Sequence, residues 1–313
     1  MVLQWALGAL CLGAAGAVDE SVASVDAATC GRKYEGIGAL LASDAPWLKA
    51  YPEPQRSDIL DILFRPAWAA GLQVLKLEIG GDGQSTTNTE SSHMHTEFHP
   101  PSFQRGWINW VLQQAISRNP ALRVGGLAWT WPHWTEGSVD NKVRYLVTWC
   151  LGIKLHYNVT VDFLGLQNEG TITGGNVMFA TALRKGLDNV GLHSVTIDCC
   201  DSHDFGFLPD LANHSAPFFK AVGALAVHEP LRNAESVPAA ALATGKPIWS
   251  SESYTTYSDS NGAGCWARAI NWGYVKGNIT RHIAWNLIQS YPADGDGFSC
   301  ECSSSNVEHV TCG

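Results

Sequence analysis

Short apolar runs recur along the chain, and stretches with apolar residues at helical spacing lie between them. Eight runs have the character of strands, at 34–40, 73–80, 123–129, 161–167, 194–200, 222–228, 246–252 and 279–287. The helical stretches include 57–71, 102–119 and 176–191, each of which stops at a Gly or at Asn-Pro. Because strands that alternate with helices favour a parallel sheet, eight units over about 250 residues predict an α/β fold, the (β/α)8 barrel.

A doubly wound open sheet is the alternative architecture for the same pattern. Nucleotide-binding sheets of that kind carry a glycine-rich turn after the first strand. Neither GxGxxG nor GxxxxGK[ST] follows the first candidate strand of this chain. The barrel is therefore the favoured prediction.

The two ends of the chain break the alternating pattern. The first 17 residues are almost wholly apolar and end in Ala-Gly-Ala, which predicts a cleaved signal peptide at 1–17, with a membrane anchor as the alternative. We expect 18–33 to form a lead-in and 34–291 to form the barrel. Residues 292–313 are polar and rich in Ser and Cys, which predicts an irregular tail. No later stretch is long and apolar enough to predict a transmembrane span.

Composition and short motifs narrow the partners and the compartment. The formal charge is -9, only 16% of the residues are charged, and no basic cluster occurs, which argues against a nucleic-acid partner. Sequons at Asn158, Asn213 and Asn278 predict glycosylation along a secretory route. An oxidising compartment permits disulfides among the cysteines, but their spacing does not reveal the pairing.

Two candidate strands end in a glutamate. FLGLQNE delivers Glu169 at the end of the fourth run, and KPIWSSE delivers Glu252 at the end of the seventh. The carboxyl ends of barrel strands form the active-site face, so both side chains are expected at the barrel mouth. Cleavage of a glycosidic bond uses two such carboxylates, because one protonates the leaving oxygen while the other attacks the sugar carbon or positions water. The alternative for each glutamate is a solvated position at a strand-loop junction.

Neighbouring residues favour particular roles for the two glutamates. Asn168 can hold a sugar hydroxyl beside Glu169, which favours Glu169 as the acid/base and leaves Glu252 as the nucleophile. The two carboxyl groups are then expected about 5 to 5.5 Å apart, with retention of the anomeric configuration. Trp129, at the end of the third run, offers a flat ring to the apolar face of a pyranose. Three other tryptophans remain open as sugar contacts, namely Trp131, Trp134 and Trp285. Two more are expected in the core, namely Trp107 and Trp110.

Polar residues follow the second and sixth runs as well. In the glycine-rich loop 80–86, Asp82 and Thr86 are candidates for hydroxyl recognition, and a phosphate cradle is the weaker alternative because the P-loop spacing is missing. The histidines of 92–99 are expected on the surface rather than in a metal clip, and no HExxH supports a zinc site. His228 ends the sixth run, where it either contacts a carboxylate or substrate or has a structural role.

The ordered motifs resemble one family, the galactocerebrosidases. The resemblance rests on YEGIGAL, YPEPQRSDILDILF, LKLEIGGDGQSTTNTESSHMH, FLGLQNE, IWSSES, GAGCWARAIN and IAWNL, and it runs from about residue 34 to 291. It implies a lysosomal (β/α)8 hydrolase that removes β-linked galactose from galactosylceramide and related sphingolipids. Glu169 would be the acid/base and Glu252 the nucleophile, with galactose contacts from Thr86, Trp129 and Asn168. A saposin-type activator protein would be a partner, and no cofactor is implied.

The chain also departs from that family. Family members continue into a β-sandwich and a lectin-like domain, so the resemblance implies a truncated chain. Gln167 stands where the family has Trp, and Glu229 stands where it has an aromatic residue. Two alternatives therefore stay open. One is another retaining β-glycosidase, such as a glucosylceramidase-like enzyme, and the other is a truncated, non-catalytic product that binds glycolipid or saposin.

Overall fold

Eight parallel strands close into a barrel in the computed structural model, which describes residues 28, 30–42, 45–85, 89–170, 174–213, 215–231, 236–253 and 260–288, apart from the side chain of Asn261. The strands are β1 (Gly36–Leu41), β2 (Val74–Glu78), β3 (Arg123–Leu127), β4 (Phe163–Gly165), β5 (Thr196–Ser202), β6 (Val222–His228), β7 (Ile248–Ser253) and β8 (Ile279–Ala284). Each pairs in parallel with its sequence neighbours, and β8 pairs with β1. Every strand overlaps one predicted run, so the predicted fold class is confirmed.

Helices connect the strands. The described ones are α1 (Ala45–Ala50), α2 (Gln55–Phe64), α3 (Ile108–Arg118), α4 (Val139–Tyr157), α5 (Gly174–Asn189), α6 (Leu208–Leu211), α7 (Pro217–Ala221), α8 (Ala239–Ala243) and α9 (Ser260–Val275). None of the helices in this part of the chain is both long and apolar enough to cross a membrane.

The helix before β3 begins later than predicted. The pattern placed its start at 102, whereas α3 begins at Ile108. Gly106 has a φ of 69°, a left-handed conformation that glycine adopts readily and that a helix interior excludes. Trp107 precedes the helix and is 42% exposed, so the expectation that it lies in the core is wrong. Its ring lies beside Lys49, whose Nζ is 5.5 Å from the ring centroid.

Side chains alternate between the two faces of each strand, as the pleat requires. On β2, Leu75 and Leu77 belong to the large apolar cluster between barrel and helices. Val74 faces the other way, into a small apolar cluster inside the barrel. By the same alternation, Lys76 and Glu78 also point into the barrel, where both are buried. Charged residues therefore occupy interior positions that apolar side chains usually fill.

Several predictions concern positions outside the barrel interior. The ranges 1–17 and 292–313 lie outside the described residues. Of the three sequons, Asn158 ends α4 in the left-handed conformation with a φ of 56°, Asn213 is exposed, and Asn278 lies directly before β8. Glycosylation at these sites stays a prediction.

Candidate active site

The carboxyl ends of β4 and β7 bring Glu169 and Glu252 to the same end of the barrel, as the sequence predicts. Glu169 follows β4 with a φ of 46°, and its N–H donates to the carbonyl oxygen of Asp201 at 2.8 Å. This bond joins the loop after β4 to the end of β5. Glu252 lies within β7 and pairs in register with His228 of β6. This backbone hydrogen bond and this strand pairing thus fix where both glutamates lie along the barrel axis.

His228 lies between the two glutamates. Strand alternation turns its side chain inward, and only 3% of the residue is exposed. Its Nδ1 lies 3.0 Å from Glu169 Oε1, and its Nε2 lies 3.6 Å from Glu252 Oε2. A single imidazole ring therefore separates the two carboxylates. The structure thus contains the carboxylate contact that the sequence left open for His228, and a contact with substrate stays a prediction.

A buried ion pair lies beneath this ring. Lys76 Nζ donates to Asp201 Oδ1 at 2.5 Å and to the carbonyl oxygen of Ser251 at 3.3 Å. Asp201 Oδ1 is also 3.5 Å from Nε2 of His228. Lys76 and Asp201 are both fully buried. The two acidic residues at the mouth are therefore connected, through His228, to a charge pair that solvent does not reach.

The surroundings shift the pKa values of the two glutamates in opposite directions. The hydrogen bond with His228 holds the pKa of Glu169 below its usual range. Burial raises the pKa of Glu252, although the charges of His228 and Lys76 act against this shift. Burial disfavours a charged His228, but its contacts with Asp201 and Glu169 outweigh burial and raise the pKa of the imidazole to about 9. His228 is thus a cation at neutral and acidic pH.

The ion pair keeps both of its charges. Burial works against the ammonium of Lys76, but the negative charges around it, chiefly Asp201, raise its pKa. Burial likewise works against the carboxylate of Asp201, and the charge of Lys76 reverses the effect and lowers its pKa. Asp198, also inside the barrel, behaves differently, because burial and the charge of Asp201 raise its pKa well above the usual range. Asp201 therefore stays ionised beside Nε2 of His228.

Two of the residues predicted to contact sugar, Trp129 and Asn168, follow β3 and β4 at the same end of the barrel. Trp129 and Trp285 pack against the apolar cluster inside the barrel, and the ring centroid of Trp129 is 5.7 Å from Lys76 Nζ. The Oδ1 atom of Asn168 is buried and accepts no hydrogen bond from the described residues. A buried amide oxygen of this kind is suited to a hydroxyl donor. Thr86 lies outside the described residues, and its role stays a prediction.

Trp131 and Trp134, which the sequence left open, face away from the barrel interior. Both pack against the cluster between barrel and helices. The ring of Trp131 meets the ring of Phe179 edge-on at a centroid distance of 5.9 Å. The indole N–H of Trp134 donates to the carbonyl oxygen of Met94 at 3.0 Å. Neither residue has its ring in the cluster that holds Trp129.

Asp82 is bonded to its own loop. Its carboxylate accepts from the N–H and the hydroxyl of Ser92, from His95 Nδ1 at 2.9 Å and from Arg105 Nη2 at 3.1 Å. Burial raises the pKa of Asp82, but these donors outweigh it and lower the pKa overall. Asp82 thus holds the loop after β2 in place, and a direct contact with sugar stays a prediction.

One histidine of this loop contradicts the expectation of a surface position. His93 is only 5% exposed. Its ring stacks on Tyr145 with centroids 4.1 Å apart, and its Nε2 lies 3.1 Å from the Tyr145 carbonyl oxygen. Burial lowers the pKa of His93 to about 3. His95 in contrast is exposed, as expected.

Two residues that differ from the expected family pattern lie next to the glutamates. Glu229 has a φ of 45°, and its N–H donates to the carbonyl oxygen of Glu252 at 3.0 Å. Gln167 accepts a hydrogen bond from the amide of Asn176 at the start of α5. Both residues therefore help to connect the ends of β4 and β7 to neighbouring segments.

Three residues of the site were not among the sequence predictions, namely Lys76, Asp201 and His203. Nδ1 of His203 lies 3.4 Å from Glu169 Oε1. Lys76 could have been found as a cation within the apolar run VLKLE, and Asp201 as an acid at the end of the run IDCCD. A charge inside an apolar strand is rarely buried without a partner.

Comparisons with known proteins show which family the chain belongs to. The model of glycosyl hydrolase family 59 matches residues 34–298. The chain is 40% identical over 274 residues to galactocerebrosidase of Macaca mulatta, covering 83% of this chain and 38% of that protein. It is 38% identical over 271 residues to galactocerebrosidase of Danio rerio, covering 83% and 40%. The chain thus spans about two fifths of the length of these curated relatives.

A solved structure supports the fold separately. The crystal structure of SrfJ from Salmonella typhimurium matches with a TM-score of 0.66 at 16% identity, covering 82% of this chain and 65% of that one. At this identity the match shows the barrel architecture alone.

Proposed function

Because the chain belongs to glycosyl hydrolase family 59, we propose that it is a retaining hydrolase that removes β-linked galactose from galactosylceramide and related sphingolipids. The observation that carries the proposal is the placement of Glu169 and Glu252 on either side of one buried imidazole at the barrel mouth. The galactose specificity rests on the relatives, which are named galactocerebrosidase.

The two glutamates can perform a double displacement. In the first step, Glu252 attacks the anomeric carbon as Glu169 gives its proton to the leaving ceramide oxygen, so one C–O bond forms and the glycosidic bond breaks. In the second step, Glu169 takes a proton from water, which attacks the same carbon and releases Glu252. The product is galactose with its β configuration retained.

His228 has a positioning and electrostatic role in this scheme. Its positive charge stabilises the ionised form of Glu252, which the attack needs. The same charge lowers the pKa of Glu169, which must be protonated before the glycosidic bond can break. Protonated Glu169 is therefore populated only on the acidic side, and we expect hydrolysis to be fastest at acidic pH.

Replacement of His228 by Gln is expected to move the pH profile of kcat/KM toward higher pH. Without the imidazolium, the pKa values of Glu169 and Glu252 both rise, so both limbs of the profile move toward higher pH. The measurement is kcat/KM for a fluorogenic β-galactoside across the acidic and neutral range. An unchanged alkaline limb in a folded His228→Gln variant contradicts this role.

The proposed substrate is tested with two sugars that differ in one hydroxyl. Purified chain is assayed at acidic pH with a fluorogenic β-galactoside and with the matching β-glucoside. Hydrolysis of the galactoside with the larger kcat/KM supports the proposal, whereas preference for the glucoside favours a glucosylceramidase-like enzyme. No hydrolysis by a chain shown to be folded by circular dichroism favours the non-catalytic, glycolipid-binding alternative.

Several finer features belong to the same proposal. We infer that the signal peptide directs the chain to the lysosome or out of the cell, that the sequons carry glycans, and that disulfides form in that compartment. A saposin-type protein would present the glycolipid, because the bond to be cleaved lies at a membrane surface.

A further inference from the structure

Three donor atoms converge at the edge of the active site. They are Oε1 of Glu169, Nδ1 of His203 and Nδ1 of His228. The two nitrogens lie 3.4 Å and 3.0 Å from the carboxylate oxygen. Within the described part of the chain, these are the residues whose ligand atoms gather within 4.8 Å of one another.

We propose that Glu169, His203 and His228 bind a divalent transition-metal ion such as Zn²⁺, and that the bound ion inhibits the hydrolysis. Zinc binds imidazole nitrogen and carboxylate oxygen at about 2.0 to 2.2 Å, which places neighbouring ligands of a tetrahedral ion about 3.3 Å apart. The two separations from the Glu169 oxygen match this spacing closely. The three ligands can therefore take up an ion with only small side-chain movements.

A carboxylate lies near the second ring nitrogen of His228. Zinc must first displace the proton that the His228 cation holds on Nδ1, and this proton is released to solvent. Nε2 then carries the remaining proton and can donate it to an oxygen acceptor. Nε2 of His228 lies 3.5 Å from Asp201 Oδ1, and Asp201 is itself held by Lys76 at 2.5 Å. Nε2 makes no hydrogen bond among the described residues, so the proposal requires the ring to move slightly toward Asp201, which would then supply the carboxylate partner that strengthens metal binding at many zinc sites.

The site is open on one side. The side chain of His203 is 70% exposed and that of Glu169 is 36% exposed, whereas His228 is buried. An ion can thus enter from solvent and keep a fourth position for water or substrate. Two imidazoles and one carboxylate favour Zn²⁺ and its transition-metal neighbours over Ca²⁺ or Mg²⁺, which prefer oxygen ligands alone.

Inhibition follows from the identity of one ligand and rests on the proposed function. The bound ion occupies the Glu169 oxygen that must carry the proton for the leaving group. A metal-bound carboxylate cannot hold that proton, so the first displacement stops. Zinc should therefore lower the rate in a saturable manner that chelation reverses.

The test compares two exposed histidines that each lie beside a carboxylate. His203 is 70% exposed, and its matched control His193 is 71% exposed and lies 3.1 Å from Asp188 Oδ1 on the barrel exterior. Tag-free wild type, His203→Ala and His193→Ala are titrated with ZnCl₂ in a calorimeter at about pH 7, because protons compete for imidazole. Inhibition is measured on the same proteins at the highest pH that still supports turnover.

We expect wild type and His193→Ala to bind zinc with equal affinity and His203→Ala to bind at least about tenfold more weakly. The zinc concentration for half inhibition should rise by the same factor in His203→Ala only. Equal zinc affinity of His203→Ala and wild type overturns the proposal. If no protein hydrolyses the galactoside, the proposed function fails, yet the calorimetric comparison still decides whether the metal site exists.

Discussion

Glu252→Gln is expected to lower kcat for a fluorogenic β-galactoside by about 10⁴-fold or more, the loss typical of removing a covalent nucleophile. The amide keeps the size of the side chain but cannot attack the anomeric carbon. The variant should stay folded, because Glu252 is buried without a hydrogen bond to its Oε2 from the described residues. Initial rates at acidic pH measure the effect, with circular dichroism as the check on folding.

Glu136→Gln is a matched control for this loss. Glu136 has 64% of its side chain exposed and lies beside His133. This substitution therefore also removes a carboxylate next to an imidazole. Its activity should equal that of wild type. A Glu252→Gln variant that keeps more than about a tenth of the activity contradicts a nucleophilic role.

Azide distinguishes the roles of the two glutamates. The resting pKa directions, low for Glu169 and raised for Glu252, are the reverse of the protonation that hydrolysis needs, so the assignment requires a chemical test. In Glu252→Gly, azide should replace the nucleophile and give the α-galactosyl azide. In Glu169→Ala, azide should attack the glycosyl-enzyme and give the β-galactosyl azide. If Glu252→Gly gives the β-azide and Glu169→Ala the α-azide, Glu169 is the nucleophile and Glu252 the acid/base.

Lys76→Met is expected to lower the free energy of unfolding by about 3 to 5 kcal/mol, because it removes the ammonium bonded to the buried carboxylate of Asp201 and leaves only His228, at 3.5 Å, to offset that charge. Lys76 and Asp201 have no exposed side-chain surface, and their charged atoms are 2.5 Å apart. Urea unfolding followed by tryptophan fluorescence measures the loss. The double variant Lys76→Met/Asp201→Asn should recover part of it, since neither charge then remains unpaired.

Lys185→Met is the control for this stability effect. Lys185 is exposed on α5, and its replacement should change the free energy of unfolding by less than about 0.5 kcal/mol. A loss below about 1 kcal/mol for Lys76→Met, or no recovery in the double variant, contradicts the proposed importance of the buried pair.

The sequence predicts the strands well because each run is apolar and ends at a turn signal. The start of α3 could not be placed, since the left-handed conformation of Gly106 is set by its surroundings and not by the amphipathic pattern. Burial of single residues was also hard to predict. Trp107 is partly exposed and His93 is buried, and both outcomes depend on which helix covers the position.

The two glutamates were predictable because strand ends in a barrel all meet at one mouth. The residues that set their protonation were not. Lys76 and Asp201 are 125 residues apart in the sequence and meet only when β2 and β5 close into one barrel. His203 reaches Glu169 from the segment after β5, and no local motif marks that contact.

Covalent trapping tests the central claim most directly. A 2-deoxy-2-fluoro-β-galactosyl fluoride forms the glycosyl-enzyme quickly and releases it slowly, so the nucleophile stays labelled. Mass spectrometry of the digested protein should place one fluorogalactosyl group on Glu252. A label on Glu169, or turnover of galactoside with no covalent adduct at all, would contradict the assignment of Glu252 as the nucleophile of a retaining galactosidase.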